Sequence, residues 1–328
     1  MSMQTELTRT LGIEVPLICG AMYPCSNPEL VAAVSEAGGI GIVQPLSLSY
    51  VHGYEFRDGL RYIRSLTDKP VGVNLIIERS SRKYLERVYA WLEIALEEGI
   101  PFLVTALGKP DRVVERARTA GVTVYHDVTS RLYAEKALDA GVDGFICVNN
   151  RAGGHAGELS AEALLYELGP LGKPLVCAGG SGTPQDFTAA IEAGYAGAQL
   201  GTRFIATREC SAHEDYKQAI IRAAADDIVL SEKITGVPVS IIRTPFIARM
   251  GVRAGPLAKW LLRGRRTRHW MRTFYSLQSI WKLKRASVRG MGYRDIYQAG
   301  QSVDGIDTVM PAAGVVRDFA AALAARQG

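Results

Sequence analysis

The chain has 328 residues, 48% of them hydrophobic and 22% charged, the make-up of a soluble globular protein with a sizeable core in one large domain or two. No apolar run reaches the roughly 18 residues that a membrane span requires, and Met1–Glu14 lacks the basic and apolar regions of a signal peptide. The net charge of +5 hides an asymmetry: from Lys233 to Arg294 there are 15 Lys or Arg and no Asp or Glu, which leaves −10 on the remainder.

The five cysteines, Cys19, Cys25, Cys147, Cys177 and Cys210, follow no metal-binding or redox spacing. Cys19, Cys147 and Cys177 lie inside apolar runs, where cysteine behaves as a small hydrophobe. The expectation is a reduced, cytoplasmic protein without structural disulfides or a metal site.

Along the first 200 residues one pattern recurs: a helical stretch, then Ala-Gly or Glu-Gly, then a short apolar run. It occurs at Ala37-Gly38, Glu98-Gly99, Ala120-Gly121, Ala140-Gly141 and Ala193-Gly194. The glycine suits the left-handed residue that closes a helix. The apolar run after it is too uniformly hydrophobic for a strand with one wet face. Strands are predicted at 15–19, 40–43, 71–75, 102–106, 122–126, 144–148, 174–178 and 196–200. Eight such strands alternating with helices point to a (β/α)8 TIM barrel. An open doubly wound sheet would carry a Gly-x-Gly-x-x-Gly turn after its first strand, and Gly20-Ala21-Met22-Tyr23-Pro24 is not one.

In such a barrel the chemistry sits in the loops that follow the strands. Those loops begin with Gly20-Ala21-Met22-Tyr23, Asn74, His126-Asp127, Asn149 through Gly157, Gly179-Gly180-Ser181-Gly182 and Gly201-Thr202-Arg203. The sixth presents a single imidazole, His155, from the glycine turn Gly153-Gly154, and histidine titrates nearest neutrality. The seventh runs straight into a helix at 183–192, so backbone N–H groups unshielded by side chains are expected to seat an anion there, with Gly201-Thr202 beside it. A ligand with a terminal phosphate is implied.

Taken together, Gly153-Gly154-His155-Ala156-Gly157, Ala178-Gly179-Gly180, Gly201-Thr202-Arg203-Phe204, Pro16-Leu17-Ile18 leading to Gly20-Ala21-Met22, and Pro70 through Asn74 resemble the nitronate monooxygenase (2-nitropropane dioxygenase-like) flavoproteins. The resemblance covers about residues 8–210 and resumes at Tyr297–Gln301. That family also contains NAD(P)H:quinone reductases and flavin-dependent enoyl-thioester reductases. The resemblance implies FMN, its phosphate on Ala178, Gly179, Gly180, Gly201 and Thr202, and its ring along Ala21, Met22 and Tyr23 with Asn74 and Gly153 in contact. It implies that His155 takes the α-proton of a neutral nitroalkane, with the flavin and oxygen completing the oxidation.

Two residues depart from the family pattern. Asp127 stands where some members have lysine, and as a cofactor-binding residue it would have to bond a flavin N–H or ribityl hydroxyl. Arg151 stands where many have an acidic or small residue. A second reading is therefore an NAD(P)H-dependent reductase of an enoyl-CoA, acyl-carrier thioester or quinone. A third, of another class, is a non-catalytic phosphate-ligand binder.

The expected division is a barrel from 1–228 and 296–328 with a basic, mostly helical lid at 229–295. Within the lid Trp270, Phe274, Leu277 and Trp281 fall at helical spacing among arginines and lysines. Residues 259–289 thereby suit a CoA or acyl-carrier partner, or a membrane surface, rather than nucleic acid, for which no binding motif is present. Self-association as a homodimer completes the expected partners.

Overall fold

The computed structural model describes residues 4–79, 81–232, 238–252 and 296–327. After α1 (Glu6–Leu11), strand and helix alternate: β1 (Leu17–Cys19), α2 (Pro28–Glu36), β2 (Ile40–Val43), α3 (Phe56–Leu66), β3 (Val71–Ile77), α4 (Arg82–Glu97), β4 (Phe102–Leu107) and α5 (Asp111–Thr119). Then come β5 (Thr123–Val128), α6 (Arg131–Asp139), β6 (Gly144–Val148), α7 (Ala161–Leu168), β7 (Leu175–Ala178), α8 (Pro184–Ala193) and β8 (Gly197–Leu200). All eight strands are parallel, and β8 pairs with β1 to close the ring. The predicted (β/α)8 barrel is therefore the fold, and each predicted strand overlaps an observed one.

The pattern that announced the barrel has its expected geometry. The glycines that end the helices take left-handed φ values, from +70° at Gly99 and Gly121 to +116° at Gly194. The helices bury one stripe each; on α4 it is Val88, Trp91, Leu92 and Ala95, spaced as one helical face requires.

Alternation along the strands separates two apolar layers. Leu17, Val73, Leu103, Val124, Phe145 and Leu175 face the helices, while Ile18, Ile42, Val104, Tyr125, Ile146 and Val176 fill the lumen. The amino-terminal end of the barrel is stoppered by α1, whose Leu7 and Leu11 join the lumen cluster. The Leu7 side chain presses on β8 where Gly197 has none: a Cβ there would lie 2.4 Å from Leu7 Cδ2.

After β8 the chain forms α9 (Thr202–Ile205), α10 (Glu214–Arg222), β9 (Ile228–Ser231), β10 (Val239–Ile242), α11 (Pro245–Met250) and, at the carboxyl end, α12 (Ala312–Gln327). β9 and β10 pair antiparallel in a small separate sheet. The reading of 229–295 as mostly helical did not include this pair. The aromatic stripe and most of the arginines of that segment lie outside the described residues.

The α1 stopper predicts its own test. Leu7→Ala should cost about 2–5 kcal/mol of stability, because a buried leucine is lost and a cavity remains. Urea denaturation at equilibrium measures it.

Candidate functional site

All eight strands deliver their following loops to one end of the barrel, and there the lumen changes from apolar to polar. The alternation that points Tyr125 inward on β5 points Asp127 inward one step nearer the mouth. On β3, Val73 and Leu75 face the helices, so Asn74 faces the lumen. Asn74 is buried, with Nδ2 donating to the Val104 carbonyl at 3.4 Å. On β8 the Gln199 side chain lies against Gly20, where a Cβ would meet its Cγ at 2.9 Å.

Asp127 has an enclosed Oδ1 with no hydrogen-bond partner, and burial raises its pKa from 3.8 to about 7. Burial thus favours its protonated form over the carboxylate. Its neighbour His126 points the other way, into the helix layer, with Nδ1 2.8 Å from Thr105 Oγ1. Burial lowers the His126 pKa to about 4, partly offset by the Leu107 carbonyl, so this imidazole is neutral and structural.

The loop after β6 is organised by Asn149, a buried residue that the sequence offered only as the loop's first position. Its Oδ1 accepts from the Arg151 N–H at 2.8 Å, and its Nδ2 donates to the Gly179 carbonyl at 2.9 Å, tying this loop to the next. Gly154 has φ of +69°, and its carbonyl accepts from the Ser240 N–H of β10 at 2.7 Å. His155 follows, exposed at the rim, yet hemmed in closely enough that desolvation lowers its pKa from 6.5. Its neutral form therefore predominates at pH 7.

The loops after β7 and β8 supply donors. Gly179 and Gly180 have φ of +119° and +84°, a turn that side chains would strain. The expected helix N-terminus is not open, however. Asp186 caps α8, its Oδ2 accepting from the N–H groups of Gly182 and Thr183 at 3.2 and 3.0 Å. Amides without an acceptor among the described residues include those just upstream and next door, at Gly179, Gly180, Ser181, Gly201 and Thr202. Arg203 is buried, and its Nη2 donates to the carbonyls of Ala206 and Thr308 at 2.9 and 2.8 Å, while its Nε has no hydrogen-bond partner among the described residues.

Residues 299–302 lace these loops together. The Gly300 N–H donates to Thr202 Oγ1 at 3.0 Å, and the Gln301 N–H donates to the Arg151 carbonyl at 3.0 Å. Gly153 lacks a side chain where one would press on Gly300 N at 3.0 Å, and a Cβ on Gly182 would strike the Ser302 carbonyl at 2.2 Å. The missing side chain of Gly153 thus makes room for this segment.

At the first loop, Met22 reaches Gly201, where a Cβ would sit 3.5 Å from its Sδ. Tyr23 packs on a cluster of Val239, Ile241, Ile247 and Ile296, and burial pushes its phenol up to about 12. The mouth thus gathers Met22, Gly153, His155, Ala178, Gly179, Gly180, Gly201 and Thr202 through direct contacts or shared loops. Asn74 and Asp127 lie below on the lumen wall, and Ala21 borders the lumen cluster.

A cleft of about 460 Å³ opens at the opposite end, lined by Arg118, Asp143 and Lys173 among others; none of the candidate residues borders it. Among the described residues no group of three His, Cys, Asp or Glu could hold a metal ion, and all five cysteines are free and buried. No described helix is long and apolar enough to cross a membrane.

The nitronate monooxygenase family model matches residues 4–321. The chain belongs to that family. A CoA dehydrogenase of Rhodococcus jostii, acting on a 5-hydroxy-7a-methyl-1-oxo-octahydro-indene-4-carboxyl-CoA, is 28% identical over 75% of this chain and 67% of its own. A probable nitronate monooxygenase of Staphylococcus saprophyticus is 29% identical over 76% of this chain and 81% of its own. The structure of FabK from Thermotoga maritima superposes with a TM-score of 0.79 at 28% identity, covering 99% of this chain and 98% of that one. The family is one of oxidoreductases.

The raised Asp127 pKa fixes a pH dependence. The folded state binds this proton more tightly than the unfolded state, so the contribution of Asp127 to stability is most favourable below pH 3.8 and is lost as the pH rises toward about 7. Asp127→Asn should remove that loss. Relative to wild type, the flavin-free variant should gain up to about 4 kcal/mol between pH 4 and 8. Chemical denaturation across that range checks it.

Proposed function

We propose that this family member is an FMN-dependent oxidoreductase that oxidises alkyl nitronates with oxygen, with His155 as the base that forms the nitronate from a neutral nitroalkane. The observation that carries the reading is a single imidazole at the rim of the barrel, on the loop that Asn149 ties to the glycine turn, where desolvation lowers its pKa from 6.5. The donor set fits a flavin phosphate: the unpartnered amides of Gly180, Ser181 and Thr202 are what such a group requires. Bound FMN would supply the electron acceptor that protein side chains lack.

The remaining work falls to the chain itself. His155, uncharged at neutral pH, accepts a proton from a carbon acid at the mouth. Asn74 and Asp127 line the wall below, and a protonated Asp127 can donate a hydrogen bond to whatever lies against it. Met22 and Tyr23 form an apolar side of the mouth.

A second reading is favoured by the 15 cationic residues between Lys233 and Arg294, and by the likeness to a carboxyl-CoA dehydrogenase and to FabK. On that reading the substrate is an acyl or enoyl thioester of CoA or a carrier protein, its phosphates met by the basic segment, with NAD(P)H as a reductant. Anaerobic mixing of the flavin-loaded protein with nitronate, NADH, NADPH or enoyl-CoA separates the two. Bleaching by nitronate supports the first, and bleaching only by a nicotinamide replaces it with the second.

His155→Ala should retain FMN and lose about 10²–10⁴-fold in turnover of neutral nitroalkanes, with a smaller loss on preformed nitronate, which needs no base. In the wild type, kcat/KM for the neutral nitroalkane should rise with pH and level off above a pKa lower than 6.5, since the base form is the active one. Steady-state rates from pH 5 to 9 test both, and an unchanged variant removes His155 from the mechanism.

A further inference from the structure

We propose that Arg151 supplies the positive charge of the phosphate seat and makes the protein select FMN over unphosphorylated riboflavin, an inference that rests on the flavin reading above. The seat has an electrostatic problem. Its helix is already capped by Asp186, whose carboxylate occupies the Gly182 and Thr183 amides and repels a second anion. Arg203, next in sequence to the Thr202 amide, is turned away to the Ala206 and Thr308 carbonyls. A phosphate carrying nearly two charges there would be held more tightly with a cation beside the amides.

Arg151 is in position to be that cation. Its guanidinium lies across Gly180, so that a Cβ on Gly180 would sit 3.0 Å from Nη1 and 3.1 Å from Cζ. The main chain that carries it is fixed on both sides, by Asn149 Oδ1 on its N–H and by the Gln301 N–H on its carbonyl. The side chain is exposed and forms no ion pair among the described residues. The field of Arg151 reaches Glu162, where it helps to lower the carboxyl pKa, but that group is already bonded to Ser160 and its own backbone. A guanidinium can bond two phosphate oxygens at once, adding charge and direction to the amides of Gly180, Ser181 and Thr202.

The test is the affinity of the full-length, deflavinated protein for FMN and for riboflavin, read by flavin fluorescence, in wild type, Arg151→Ala and Arg151→Lys, with thermal melting to show that each is folded. Arg151→Ala should weaken FMN about 10- to 100-fold and leave riboflavin unchanged, with Arg151→Lys between. The FMN affinity of the alanine variant should also depend less on salt. Equal losses for both flavins, or none for FMN, would overturn the assignment while leaving the flavin reading intact. Should the alanine variant not fold, Arg151→Gln takes its place, and wild-type FMN affinity in that uncharged variant overturns the assignment equally. A wild type that takes up neither flavin would overturn the flavin reading itself.

Discussion

The mouth of this barrel depends on a close approach of backbones that only glycine permits. Residues 299–302 return from the far side of the chain and run between the loops after β6, β7 and β8. Gly300 passes so near Arg151 and Gly153 that a Cβ would lie 2.6 Å from the Arg151 carbonyl oxygen and from the Gly153 nitrogen. The Gly300 N–H fixes the Thr202 side chain, and the Gln301 N–H fixes the main chain of Arg151. His155, Arg151 and the amides at Gly180, Ser181 and Thr202 owe their relative places to this seam. These backbone contacts tie the loops to one another, the kind of preorganisation that positioning of a reactive group requires.

Around the seam the charged and polar groups divide by direction. Two adjacent residues of β5 show it: Asp127 enters the lumen with an unpartnered oxygen, and His126 enters the helix layer with Thr105 as its partner. The same division separates Arg151, which crosses the glycine turn in the open, from Arg203, which is buried as a brace for carbonyls. A buried charge held by carbonyl dipoles maintains the fold, whereas an open one beside unpartnered donors is available to a ligand.

The barrel was legible because its grammar is local. A helix must end, a left-handed glycine ends it cheaply, and a strand buried on both faces must be apolar throughout. Gly38, Gly99, Gly121, Gly141 and Gly194 all carry the positive φ that this pattern implied. The site was legible in part for the same reason, since residues after strands in a closed parallel ring necessarily share one end. What the sequence did not show was long-range. Asn149 reads as one polar loop residue, and nothing nearby reveals that its two amide atoms join separate loops. The capping of α8 by Asp186 was locally readable as Thr183-x-x-Asp186, yet it moved the open amides upstream of where the helix start suggested. β9 and β10 were missed because neither follows the helix-and-glycine pattern that marked the barrel strands, and the surrounding charge dominated the reading.

The central claim is that the glycine turn after β7 and the start of the loop after β8 together hold the phosphate of a flavin whose ring lies over the polar lumen wall. A crystal structure of the FMN complex tests it most directly. The account predicts phosphate oxygens about 3 Å from the amide nitrogens of Gly180, Ser181 and Thr202, with the ring between Asn74 and His155. A phosphate bound anywhere else, or a flavin ring outside the barrel mouth, would contradict it.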